Sequence, residues 1–331
     1  MPEAPDLQVI KEFLQRTLTG VAVEHARVLK PIVLRSLAAS DFSEDIAGRA
    51  FTGFWRKGKL LGLELSQKGG KTIGRPSTPR ASTGSARTDG PLSVRPEPVE
   101  GPGSESVRLL VINPMLSGGL QYCDPKERVS AKTFIILSLS SGRELRYFDD
   151  DQMGMVYYLR AEQLQAVPRL MEQGPDVLDE PLSLDEFKAH LKPFRGEIKG
   201  VLTRGVLVAG VGNAYGDEIC FAAGLFPFRK LSSLSPDEVE RLWRATYEAP
   251  KAAVPVLRRR VGEDIHHKVR DFLQVHGKGG QACPKCGSRI TEIRANGRLH
   301  NYCRQCQPGS LIGSFARPAR AGLAQDSDVH R

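Results

Sequence analysis

No apolar run of about 18 residues occurs anywhere in the 331-residue chain, which excludes a membrane-spanning helix. The first residues, MPEAPDLQVIKEF, carry acids early and lack the basic-then-apolar order of a secretory leader, so the expected location is the cytosol. Cysteine is scarce: there are six, too few and too unevenly spaced for a disulfide framework in a reducing compartment. Internal repeats are absent. What remains is ordinary globular composition, 40% hydrophobic and 26% charged, long enough for two domains with appendages. Basic residues exceed acidic ones by 47 − 38 = 9, a surplus that suits a polyanionic partner without proving one.

Along the chain, Leu7, Ile10, Leu14 and Leu18, with Val9 and Phe13, recur at helical spacing after Asp6 as an N-cap, and Gly20 is placed to stop the helix. Strand patterning follows from Val21 to about Leu65, where FTGFWRKGKLLGLEL reads as two strands turning at Lys57-Gly58. Residues 69–106 are rich in Gly, Pro, Ser, Thr and Arg and offer no core, so they read as a disordered insert. VRLLVINPML resumes the strands, and TFIILSLSSGRELRYFD reads as a hairpin turning at Ser141-Gly142. Excising the insert would join LELSQ to VRLLVI within one β-rich domain, residues 1–165. Helical patterning then runs through 182–275, with Pro250 and Pro255 expected to kink or divide its longest helix. Residues 276–308 form the last ordered unit, and 309–331 read as a solvated tail.

The most specific motif is CPKCG followed by YCRQC. Cys283, Cys286, Cys303 and Cys306 are two C-x2-C knuckles sixteen residues apart, the spacing of a zinc ribbon whose knuckles flank a β-hairpin. Four chance cysteines are the alternative. Four sulfur ligands leave no open position for water, so a bound Zn2+ would be structural. Arg298, at the hairpin turn beside Gly297, could reach a phosphate or could simply be solvated. GVGNAYG departs from the dinucleotide fingerprint in its glycine spacing and lacks the βαβ surroundings, which argues against a nucleotide cofactor. A turn that presents backbone N–H groups and Asn213 before a helix suits a phosphate of any origin, or is a plain helix-helix turn.

Pro2 is small enough to permit removal of Met1, which would expose a secondary amine; an α-amino group has a pKa near 8 against about 10.4 for lysine, so it is a better nucleophile at neutral pH. Glu3 beside it could move a proton. Most Met-Pro-Glu starts are inert. The run Asp149, Asp150, Asp151 reads as a solvated hairpin end rather than a hard-cation site. His266, His267 and His276 read as surface or core-edge histidines rather than zinc ligands, Arg258 to Arg260 as a basic cluster at a helix end, and Cys123 and Cys220 as ordinary thiols.

Met1-Pro2-Glu3 with Pro5-Asp6, WRKGKLLGLEL, AGVGNAYGDEICFAAGLFP, and CPKCG with GRLHNYCRQCQ occur in the order found in the formamidopyrimidine-DNA glycosylase and endonuclease VIII family, which the chain resembles over residues 1 to 307 apart from the insert. The resemblance implies an α+β protein: an N-terminal β-sandwich, a helix-two-turns-helix module and a zinc ribbon, with duplex DNA crossing the cleft between domains. It implies a monomeric base-excision repair enzyme that removes oxidised bases and cleaves abasic sites by β,δ-elimination. Pro2 would be the nucleophile that forms a Schiff base, Glu3 its proton-transfer partner, and Lys59 a phosphate-holding lysine. Lys199 would be a second basic residue near the site, Asn213 and Arg298 the residues that grip phosphate.

Departures from the family concern the substrate. Where members carry an Arg and a Phe to wedge the duplex, this chain reads DDDQMG, with Gln152 and Met153 at those positions. Aligning Ser117-Gly118 puts Leu116 at the void-filling methionine, with Met115 next to it. VGEDIHHKVRDFLQVHG replaces the loop that covers 8-oxoguanine in purine-specific members. The missing wedge arginine motivates the alternative of a catalytically silent damaged-DNA-binding protein of the same fold; retention of Pro2, Glu3 and Lys59 argues against it. A zinc-ribbon protein for another nucleic acid is a more remote reading.

Overall fold

The computed structural model describes residues 1–67, 107–295 and 297–309, so the whole insert, 69–106, and nearly all of the tail lie outside the described residues. Two compact units result: Met1–Asp176 with Val254–Lys268, and Val177–Ala253 with the chain from Val269 onward.

The first unit opens with α1 (Ala4–Leu18), which starts one turn earlier than its apolar periodicity suggests. Pro5 lies in the first turn, where a missing N–H forfeits no intrahelical bond. Glu3, not Asp6, is the residue before the helix; Asp6 reaches back from the first turn and accepts the Glu3 N–H at 2.8 Å. The buried face is otherwise the one the spacing defines, with Leu7, Ile10, Phe13, Leu14 and Leu18 inside.

Strands β1 (Val23–Val28) and β2 (Leu34–Ser36) precede a short helix, α2 (Phe42–Ile46). Seven more follow: β3 (Ala50–Lys57), β4 (Leu60–Ser66), β5 (Val107–Asn113), β6 (Gly119–Cys123), β7 (Thr133–Leu139), β8 (Glu144–Phe148) and β9 (Met155–Leu159). They make a four-stranded sheet, order β1-β7-β8-β6, and a five-stranded one, order β2-β9-β5-β4-β3, the β-sandwich of the fold. Among the described residues only β2 and β9 pair in parallel. β4 pairs directly with β5, Ser66 opposite Val107, so residues 67–106 leave and return at adjacent strand ends. The β3–β4 turn is Gly58-Lys59, one residue beyond its expected place, with Gly58 at φ 58°. Gly62 faces Trp55 across this hairpin, and a Cβ there would lie 2.1 Å from the indole, so only glycine lets the ring lie flat on the strand. That ring joins Leu60, Val107, Leu109 and Val111 in a cluster closed by Val167 and Leu170, while α1 packs on β3 and β4.

The second unit contains α3 (Leu184–Leu191), α4 (Ile198–Leu202), α5 (Asn213–Ala223), most of α6 (Pro236–Val261), and the hairpin of β10 (Thr291–Ala295) and β11 (Arg298–Tyr302). Ser183 and Glu186 cap α3 reciprocally, at 2.8 and 3.2 Å. Against expectation, α6 is not divided by Pro250 and Pro255. An interior proline costs about 3 kcal/mol; Leu242, Thr246 and Tyr247 before the prolines, Ala253 between them, and Leu257 and Val261 after them, are buried and hold the helix through that penalty. Among the described residues no helix is long and apolar enough to cross a membrane.

Candidate active site

In the first unit, Pro2 and Glu3 are both buried at the head of α1. Pro2 nevertheless borders a small recess whose wall includes Asp6, Gly118, His266, His267 and Lys268. Asp6 thus has two neighbours to serve: it lines the recess and fixes the Glu3 backbone. Gly118 allows the close approach, since a Cβ there would lie 2.5 Å from the Tyr147 hydroxyl and 2.6 Å from the Pro114 carbonyl oxygen.

The turn bearing Lys59 is held from below. Arg56 makes a two-pronged pair with Asp176, at 2.6 and 2.7 Å, and Asp176 also accepts the Gly58 N–H at 2.7 Å. Arg56 is 5% and Asp176 2% exposed, so the pair is desolvated. Arg56 Nε also donates to Gln8 of α1 at 3.3 Å, which links the helix that starts at Pro2 to the turn that carries Lys59. Sequence reasoning missed Asp176; nothing local to GPDVL signals a partner 118 residues upstream.

Met115 and Leu116 sit on a loop coupled to the DDDQMG loop. Asp149 accepts from Ser117 Oγ at 2.6 Å and from the Gly154 N–H at 2.6 Å, and Ser117 Oγ accepts the Asp151 N–H at 2.8 Å. The reading of all three aspartates as a solvated end is therefore corrected: Asp149 has no exposed surface, because it satisfies the backbone of its own loop, while Asp150 and Asp151 are exposed. The two loops present Leu116 (43% exposed) and Met153 (47% exposed) to solvent, with Met115 at φ 44° and Gln152 at φ 58° in the left-handed region. Non-glycine residues hold that conformation only where surrounding bonds over-determine it, as they do here.

In the second unit, Lys199 is 3% exposed and its ammonium lies 2.5 Å from Asp217. Asp217 also bonds His276 Nδ1 at 2.7 Å, so Lys199 is part of an internal charge cluster rather than a free surface cation. Its neighbour Glu218 accepts the N–H groups of Gln274, Val275 and His276, at 2.8–2.9 Å, and so clamps the chain leading to the first knuckle. Two acids directly before the apolar stretch ICFAAGL were the available signal, since buried carboxylates require partners. Asn213 begins α5 and donates through Nδ2 to the Leu299 carbonyl of β11 at 2.9 Å. Arg298, the first residue of β11, is exposed beside Gly297 at φ 72°.

The four knuckle sulfurs lie within 4.8 Å of one another. Sulfurs 2.3 Å from a tetrahedral ion stand about 3.8 Å apart; Cys283 and Cys306 are separated by 3.8 Å, Cys286 and Cys303 by 3.4 Å. The donor set and its spacing fit one Zn2+. Cys283 and Cys303 are also packed with Phe221 of α5, Val275 and Ile290, which seats the ribbon on the helix that Asn213 begins. Cys123 and Cys220 take no part, and burial pushes their thiols up to about 11 and about 12.

Three sequence models match in chain order: the formamidopyrimidine-DNA glycosylase N-terminal domain over residues 1–156, the H2TH domain of the same enzymes over 173–262, and the zinc finger found in FPG and IleRS over 280–309. The chain belongs to the formamidopyrimidine-DNA glycosylase family. Among its relatives, formamidopyrimidine-DNA glycosylases of Pelotomaculum thermopropionicum and Symbiobacterium thermophilum are each 28% identical, with 93% and 97% of this chain aligned to 99% and 95% of theirs. Fpg (MutM) of Lactococcus lactis in complex with DNA containing N7-benzyl-Fapy-dG superposes with TM-score 0.73 at 20% identity, covering 93% of this chain and all of that one. MutM (Fpg) of Thermus thermophilus gives TM-score 0.70 at 25% identity over the same shares. The family's fold is thus present, and a structural zinc site with it.

Proposed function

We propose that this chain is a base-excision repair enzyme: a DNA glycosylase for oxidised bases that also cleaves the resulting abasic site, using Pro2 as nucleophile once Met1 has been removed. The observation that carries the assignment is the recess bordered by Pro2, in a chain whose zinc-ligand set and domain order are those of the family. The relatives named above are glycosylases, and the Lactococcus enzyme is also described in complex with DNA containing an abasic site.

In this reading the Pro2 nitrogen attacks C1′ of the damaged nucleotide. The C1′–N bond to the base breaks, its electron pair leaving with the base, which is protonated as it goes. Glu3 transfers a proton at the sugar as the ring opens, and an iminium joins Pro2 to C1′. Loss of the 3′ and then the 5′ phosphate follows by β- and δ-elimination. Lys59 holds phosphate beside the lesion, from a turn that Asp176 fixes. Asn213 and exposed Arg298 hold backbone phosphates, and Lys199 acts through Asp217 to brace the start of α5. Leu116, Met115 and Met153 fill the gap left by the displaced nucleotide, and no arginine is present beside Met153 to contact the opposite base. Bound Zn2+ contributes cross-linking alone, through Cys283, Cys286, Cys303 and Cys306. We place the enzyme in the cytosol at the nucleoid, acting as a monomer, with 1–165 as catalytic domain, 182–275 as DNA-binding module and 276–308 as ribbon.

The test is a panel of duplexes carrying an oxidised purine, an oxidised pyrimidine or an abasic site, with strand cleavage and borohydride trapping as readouts. Cleavage with trapping on the abasic duplex is expected, lost when Met1 is retained. Tight duplex binding with no cleavage of any member would establish the silent damage-binding protein instead.

A further inference from the structure

The recess beside Pro2 is walled on one side by His266, His267 and Lys268, which follow α6 in the first unit. The two histidines differ in setting. His267 is exposed, whereas His266 is half-buried and its Nδ1 is enclosed with no hydrogen-bond partner among the described residues. Their ring centroids lie 4.1 Å apart, close enough that both rings cannot readily be charged together. Burial first, then His267, holds the His266 imidazole below its ordinary value, against smaller opposing contributions from Asp264 and Glu127. The remaining titratable groups on the recess are Asp6, already committed to the Glu3 N–H, and Lys268, a cation at neutral pH.

We propose that His266 is a catalytic base for the elimination steps, accepting the C2′ proton of the sugar after Pro2 has formed its iminium. The inference rests on the function proposed above. The C2′–H electron pair becomes the C1′–C2′ bond of an enamine, and the iminium π pair returns to the Pro2 nitrogen. That nitrogen pair then re-forms the iminium while C2′–C3′ becomes a double bond. The C3′–O bond breaks, and the phosphate leaves with its electrons. The balance is one proton gained by the imidazole and one phosphate monoester released, with no change of oxidation state. Because Nδ1 is enclosed, the acceptor in this proposal is Nε2 of a neutral imidazole on the recess wall. Lys268 lacks an available lone pair at neutral pH, and the Asp6 carboxylate is occupied.

The experiment uses the full-length, zinc-loaded protein on an abasic-site duplex and follows two readouts: borohydride trapping, which reports the iminium, and single-turnover strand cleavage, which reports elimination. H266Q is expected to trap at a rate close to the parent protein and to cleave about 100-fold more slowly, the range for loss of a general base. In the parent protein, cleavage should fall on the acid side with a midpoint below about 6.5, because protonated His266 cannot accept; in H266Q that limb should be absent. A variant that cleaves at the parental rate with the parental pH profile would overturn the proposal. So would a folded H266Q, judged by its circular dichroism and zinc content, that loses trapping and cleavage together. Should H266Q fail to fold, the parent profile decides: an acid limb with midpoint below that of a free histidine supports the base, and a flat profile overturns it. Failure of the parent protein to trap at all would instead contradict the proposed glycosylase and lyase function, so the two failures are distinct.

Discussion

Asp176 is the residue on which the Lys59 turn depends most, because one desolvated carboxylate serves both Arg56 and the Gly58 N–H. Asp176→Ala would leave the Arg56 charge buried without its main counter-ion, and breaking such a pair costs about 3–5 kcal/mol. Guanidinium unfolding should show that loss, whereas Lys59→Ala, at a half-buried turn position, should leave stability nearly unchanged while slowing abasic-site cleavage. A residue's identity was often legible where its circumstances were not. Pro2, Glu3 and Lys59 stood out through the motifs around them, but Asp149 looks like Asp150 and Asp151 in the sequence; only burial against Ser117 and Gly154 separates them. His266 was read as a core-edge histidine, which its burial matches, yet no spacing rule could have placed it on the same recess as Pro2, 264 positions away.

At the scale of elements, α2 is tied to two strands of the five-stranded sheet through Asp45. Its carboxylate accepts from Arg108 at 2.8 Å and Tyr158 at 2.6 Å and pairs with Arg49 at 3.1 Å. Burial alone would raise the Asp45 pKa, but the hydrogen bonds from Tyr158 and Arg108 and the charges of Arg49 and Arg108 outweigh it, so the folded value lies below the ordinary one. A carboxyl depressed in the folded state contributes stability that is present above its unfolded pKa, about 3.9, and lost as pH falls through the folded value. Asp45→Asn should therefore flatten the acid limb of the stability profile below about pH 4 and lower stability near neutrality. The β3–β4 and β7–β8 turns were legible to within about a residue because they carry Gly58 and Gly142, whereas α2 lies inside the stretch from Val21 to about Leu65 that reads as strand. The continuity of α6 was not, since local proline penalties are readable in a sequence and the buried side chains that offset them are not. The Ser66–Val107 pairing implies that residues 69–106 can be replaced by a short turn. Closing the same strands over a shorter loop has a smaller entropic cost, so unfolding stability should be no lower and abasic-site cleavage within about twofold.

For the whole molecule, a surplus of nine positive charges favours DNA but confers no selectivity, and in the proposed function phosphate contacts such as that assigned to Arg298 set the register. Arg298→Ala should weaken binding to all duplexes alike and reduce the slope of log affinity against log salt by about 0.9, the share of one phosphate contact. Metal analysis should find one zinc per chain; chelation, or Cys303→Ser, should unfold the ribbon and abolish duplex binding, since its sulfurs are also part of the packing against α5. The central claim concerns one atom, and it is tested most directly by digesting the borohydride-reduced adduct with abasic-site DNA and mapping the cross-link by mass spectrometry. The account predicts the adduct on the nitrogen of Pro2 in a chain that has lost Met1. An adduct on a lysine side chain, with Pro2 unmodified, would contradict it.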